Sequence, residues 1–208
     1  NPYTRATKVD TTELRDNPEC HDATYTMVKD PLTVPAQSYV LYNIRVYNEG
    51  ETDVYAGEVT DHLPDYLDYV DCEFNREYQW EVGADGKTIK TTYLSHENGE
   101  ENLLNAFDKE TDDGAGSGLD YKDLQILCRV NDKAPSNTNI VNIAEITEYE
   151  DEEGEEIPED TDSTPDNVED EPKEDDEDNE IILIKTFDLN LLKYVSTVYV
   201  TEDGVTTE

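Results

Sequence analysis

The run IILIKTFDLNLLKYVSTVYV, residues 181–200, decides the reading of this chain. It follows a long acidic tract, is the most apolar stretch of the sequence, and carries the alternation that a pleated strand presents. Read as one strand, it puts Phe187, Leu189, Leu191 and Lys193 on one face and Asp188, Asn190, Leu192 and Tyr194 on the other. A lysine thereby falls among the positions that pack. A buried ammonium is costly unless it is neutralised, paired or chemically consumed. The plain alternative is an edge-strand lysine whose head reaches water.

Working outward, residues 148–180 hold 20 acidic residues out of 33, with Lys173 the only base. No core forms from that composition, and residues 169–180 read as a self-repelling, extended linker. Residues 1–147 are different. YVLYNIRVYN, residues 39–48, alternates cleanly, with Val40, Tyr42, Ile44 and Val46 facing one way. Residues 54–63 form a second strand with Val59, Asp61 and Leu63 on one face, ended by Pro64. A hairpin is expected around Ala84, Asp85 and Gly86, and a short helix over residues 100–108, where Leu103, Leu104 and Phe107 have helical spacing. Residues 121–130 and 139–147 are two further strands. In the second, Ile140, Asn142, Ala144 and Ile146 share a face. Asp61, Asn142 and Lys193 are thus three polar residues on core-facing sets, each of which has the ordinary alternative of a hydrogen-bonded polar side chain.

The expected fold is mainly β, an immunoglobulin-like β-sandwich with one short helix and an extended C-terminal strand. Its domains would be residues 1–147 (sandwich), 148–180 (acidic loop and linker) and 181–208 (a strand completing its own or the next unit's sandwich).

Charge narrows the partners. The chain has 208 residues, 53 acidic against 15 basic, for a net charge of −38. Such a polyanion repels nucleic acid and anionic lipid and attracts divalent cations. No run of about 18 apolar residues is present to span a membrane. Asn1 opens no signal peptide, so the chain reads as a segment of a longer product. Cys20, Cys72 and Cys128 match no metal spacing. Cys128 shares a face with Leu124, Ile126 and Val130, which fits a small buried thiol. His21, His62 and His96 lie in separate contexts, and no phosphate loop or zinc motif appears, so an enzyme with turnover is the weakest class.

Four segments in order resemble one family. YNIRVYNEGETDVYAGEVTDHLPDYLDYV (42–70), NIAEIT (142–147), DSTPDN (162–167) and FDLNLLKYV (187–195) are similar to the repeat domains of Gram-positive bacterial surface proteins and fimbriae, some of which form Lys–Asn isopeptide bonds. Carried over by motif, the resemblance implies Lys193 as the amine, Asn142 as the carboxamide and Asp61 as the acid. It also implies an extracellular, cell-surface location. A desolvated lysine is a nucleophile, and a protonated aspartic acid polarises the amide while ammonia leaves.

The order departs from the family, because the lysine strand follows the asparagine strand and the family's first strand is expected to be missing before Asn1. Two arrangements satisfy this. Either residues 181–200 fold back through the acidic tether, or they enter the next copy as a donor strand and join copies head to tail into an open fibre. The second accounts for both the missing first strand and the surplus last one. The acidic tract resembles the calcium-binding loops of such repeats, which implies Asp151, Glu153, Asp160, Asp162 and Asp166 as ligands, with affinity of roughly 0.1 to 1 mM. A solvated acidic spacer is the plain alternative. The leading expectation is a filament or stalk building block whose partners are neighbouring copies. A calcium-dependent adhesin repeat binding a host ligand is the second.

Overall fold

The computed structural model describes residues 8–157, 163, 168, 174–186 and 189–208. In chain order the elements are β1 (Lys8–Asp10), α1 (Thr12–Asp16), β2 (Thr24–Thr26), β3 (Leu32–Val34), β4 (Tyr39–Asn48), β5 (Val54–His62), β6 (Leu67–Tyr69), α2 (Glu73–Glu77), β7 (Glu81–Val82) and β8 (Thr88–Thr91). Then follow β9 (Asp120–Val130), β10 (Asn139–Asp151), β11 (Glu156–Ile157), β12 (Glu177–Ile184), β13 (Val200–Glu202) and β14 (Val205–Thr207).

The larger sheet runs β3, β12, β10, β5, β8, β7, with β11 hairpinned onto β10, and the smaller runs β4, β9, β6. Every pairing in them is antiparallel except β12 with β3. One apolar cluster joins the two sheets. It contains Tyr42 and Val46 of β4, Leu124, Ile126 and Cys128 of β9, Val59 of β5, Ile89 of β8, Ile140 of β10 and Ile182 and Ile184 of β12. Two sheets sharing one core make a sandwich, as the sequence indicates.

Alternation explains most of the placement. In β4 the even positions face the core, while outward Arg45 forms a two-pronged ion pair with Asp123 of β9 at 2.8 and 2.9 Å. β5 is central, so residues on both of its faces are buried, including Ala56, Val59, Thr60 and Asp61. The expected hairpin is β7–β8. Cys128 is buried and all three cysteines are free thiols.

Two elements differ from expectation. No α-helix covers residues 100–108. Instead, two 3-10 turns, His96–Asn98 and Glu100–Asn102, flank Gly99, whose φ of 132° interrupts any helix. Leu104 then exchanges backbone hydrogen bonds with Val54, so its side chain enters the core from an extended backbone. The helices α1 and α2 arise elsewhere.

The C-terminal strand also begins and ends earlier than the apolar run. Its first residue, Glu177, lies in the acidic tract, and its last, Ile184, is where its neighbours stop: Asn139 pairs with Leu183, and Val34 with Ile184. With no strand to pair, the chain leaves the sheet. Residues 189–199 have no regular structure and most are exposed, Leu189 at 96% and Leu191 at 85%. The β13–β14 hairpin follows, turning at Asp203 and Gly204 with positive φ at both.

Candidate functional site

Asp61 sits on β5 opposite Ala144 of β10 and Ile89 of β8. Asn142 sits on β10, two residues before Ala144, and opposite Glu180 of β12. The spacing of two keeps Asn142 and Ala144 on one face, so the carboxamide lies diagonally beside the carboxylate. Asn142 Nδ2 donates to Asp61 Oδ2 at 2.8 Å. Asp61 is fully buried and Asn142 is 4% exposed. Three polar atoms here are buried with no hydrogen-bond partner: Asp61 Oδ1, Asn142 Oδ1 and the Tyr42 hydroxyl.

The electrostatics follow from the dryness. Burial pushes the Asp61 carboxyl up to about 7, against the opposing hydrogen bond from Asn142 and the charge of His62. The Tyr42 hydroxyl is raised by burial and then by the nearby Cys128, Asp61 and Glu180. Burial also raises the Cys128 thiol, with Asp61 and Asp68 adding to it. Asp61 therefore exchanges a proton near neutral pH. Ionised, it accepts from the Asn142 amide as observed. Protonated, it can donate to the Asn142 carbonyl after a half-turn of the carboxamide, which exchanges Nδ2 and Oδ1.

Of the three residues implied for the cross-link, the fold brings two together. Lys193 is exposed, on the segment outside the sheets, and not on the buried face of a long strand. The lysine lies beyond the point where β12 loses its partners, so alternation past Ile184 had no sheet to act on.

Of the residues implied for calcium, Asp151 ends β10, and its Oδ1 accepts from the backbone N–H of Glu153 at 3.0 Å and of Glu155 at 2.8 Å, holding the turn into β11. Glu153 is exposed on that turn. Asp160, Asp162 and Asp166 lie outside the described residues. Among the described residues no group of three or more His, Cys, Asp or Glu is placed to hold a metal ion. Asp151 and Glu153 alone do not make a cage for calcium.

Sequence reasoning passed over two features. Alternation puts Tyr42 on the core face of β4 but says nothing of its hydroxyl, which is buried without a hydrogen-bond partner. Glu145 of β10 and Glu177 of β12 face each other in register, and both are buried. Glu145 pairs with His62 Nε2 at 2.5 Å, while Glu177 Oε2 and both oxygens of neighbouring Asp176 have no hydrogen-bond partner. The signal was present as NIAEIT, where Glu145 lies one residue off the Asn142 face, but a linker reading of residues 169–180 hid its counterpart.

No protein family's sequence profile matches the chain, and no curated protein matches it. Among solved structures, the crystal structure of BcpA, the major pilin subunit of Bacillus cereus, is similar over 87% of this chain and 39% of its own length, with 14% identity and a TM-score of 0.35. The chain thus spans well under two thirds of that pilin.

Proposed function

We propose that this chain is a structural building block of a bacterial extracellular filament or surface stalk, in which copies join head to tail and Lys193 of one copy forms an isopeptide bond with Asn142 of the next. The observation that carries the reading is the buried Asp61–Asn142 pair, which has two unpartnered oxygens and, among the described residues, no amine hydrogen-bonded to it, in a chain whose Lys193 stands on an exposed apolar segment. Supporting it is the likeness of four sequence segments to Gram-positive surface repeats.

The reaction needs nothing from outside. The neutral Lys193 amine attacks Asn142 Cγ while protonated Asp61 holds the carbonyl oxygen. The new C–N bond forms, the Cγ–Nδ2 bond breaks, and Asp61 carries a proton from the amine to the leaving nitrogen, which departs as ammonia. The apolar surroundings exclude water that would hydrolyse the amide. It is a single self-modification and not turnover.

The acidic tract's alternating carboxylates support a further proposal, that calcium stiffens the junction between copies. The calcium-dependent adhesin reading rests on that tract alone.

The test is to boil the chain in detergent and reductant, separate it on a gel and weigh the surviving bands. A ladder of multiples, one ammonia lighter per junction and yielding a Lys193–Asn142 cross-linked peptide, is the expected result. A single band one ammonia lighter would mean that the lysine closes on its own chain. A single band of unmodified mass would end the covalent reading.

A further inference from the structure

A strand entering from another copy needs a sheet edge to pair with and a position from which Lys193 reaches Asn142. Among the described residues the two sheets end in β3 and β6 with three residues each, β7 and β11 with two each, and β4 with ten. Among the described residues β4 is the longest of these, ten residues against the eleven of the exposed segment 189–199, and the stretch of β9 that β6 leaves unpaired is engaged by Asn75 and Trp80 at Leu127 and Gln125.

Reach selects the same edge. Neighbouring strands lie about 4.8 Å apart and facing sheets about 10 Å. A strand added beside β3 would stand three strand spacings from β10, roughly 14 Å, and one beside β7 four spacings, roughly 19 Å. Lysine does not bridge either distance within a sheet. Across the sandwich the geometry is different, because two inward side chains meet in the middle of the core. Tyr42 of β4 shares the core cluster with Val59 of β5, Ile140 of β10 and Ile182 of β12, and Asn142 lies on the same face of β10 as Ile140. β4 therefore lies across the core from the face of β10 that carries Asn142. A strand beside its outer edge adjoins Tyr42, whereas one beside β6 stands about 14 Å from β4.

We infer that the outer edge of β4 is the docking edge for residues 189–199 of a second copy of this chain, which enter as a fourth strand of the smaller sheet with Lys193 turned inward beside Tyr42. The inference rests on the head-to-tail reading. The two surfaces complement each other on both faces. On the core side, Leu189, Leu191 and Val195 cover Val40 and Ile44, which are only half-buried, while Tyr42 and Val46 are buried already. On the outer side, Leu192 and Tyr194 meet Tyr39 and Leu41, which are 62% and 50% exposed. At the centre, the nitrogen of Lys193 supplies an N–H donor to a site whose three unpartnered atoms, Asp61 Oδ1, Asn142 Oδ1 and the Tyr42 hydroxyl, all accept.

Deuterium uptake of the full chain, compared between dilute monomer and concentrated assembly, tests this. The expected result is slowing by at least about tenfold at amides within β4 and within residues 189–199, with β3, β6 and β7 unchanged. Slowing in residues 189–199 together with β3, β6 or β7, and none in β4, would overturn the edge assignment and leave head-to-tail joining intact. No assembly, or assembly with residues 189–199 still exchanging freely, would overturn the joining and the edge together.

Discussion

Asp61 is the residue on which both stability and chemistry turn. Its ordinary carboxyl value of 3.8 holds in the unfolded chain, whereas burial raises it to about 7 in the fold. Between those values the folded state keeps a proton that the unfolded state has released. Stability of the unlinked chain therefore falls as pH rises through this window, and the loss is complete above about pH 7, where it approaches roughly 4 kcal/mol. Asp176, also raised to about 7 by burial and by Glu174, Glu145, Asp175 and Glu177, adds a decline of the same sign. Asp61→Asn keeps an oxygen to accept from Asn142 and removes the titration. Its unfolding midpoint, followed by the fluorescence of the single, buried Trp80, should vary less between pH 5 and 8 than that of the parent, and the variant should form no cross-link. A parent whose stability rises over that range would contradict the buried, proton-holding carboxyl. Alternation alone exposed Asp61 and Asn142 to view, because both lie on strands with partners on each side. It could not show which atoms lack partners, since that depends on facing elements far apart in sequence.

The elements show where sequence patterning stops being informative. β4, β5, β9 and β10 were legible because each pairs along its whole length, so side-chain period and sheet face coincide. The C-terminal run was legible only in its chemistry. Residues 181–184 and 189–195 are both rich in apolar residues, yet Ile182 and Ile184 are almost fully buried and the later residues are not, because β10 and β3 end where they do. The acidic start of β12 was illegible for the opposite reason: a backbone ladder with β10 overrides a composition that disfavours strands. This gives paired expectations. Ending the chain after Thr186 removes no buried side chain among the described residues and should shift stability by less than about 0.5 kcal/mol, while abolishing head-to-tail joining. Ile184→Ala should instead cost about 2 to 5 kcal/mol, as for any large aliphatic removed from a packed core. Denaturant unfolding reports both. A truncation as damaging as Ile184→Ala would mean that residues 187–208 pack on their own sandwich.

At the scale of the whole molecule, joining has to overcome charge. Each copy carries a net charge of −38, so two copies approaching end to end repel over distances set by the screening length. That length is about 30 Å at 0.01 M salt and about 8 Å at 0.15 M. The docking described above is apolar along both faces of the incoming strand, with a single lysine at its centre, so attraction is short-ranged and repulsion long-ranged. Salt then suppresses the second and leaves the first. The rate at which multimers appear should accordingly rise with sodium chloride across that range. Calcium chloride at matched ionic strength separates screening from binding: an acceleration beyond that of magnesium would locate a specific oxygen cage in the acidic tract, since magnesium holds its water and demands octahedral geometry. Light scattering for association and a denaturing gel for covalent junctions read the two steps independently. A rate that falls as sodium chloride rises would mean that opposite charges drive the encounter, which the composition of this chain gives no means to supply between like copies, and the partner joining at β4 would then have to be a basic protein.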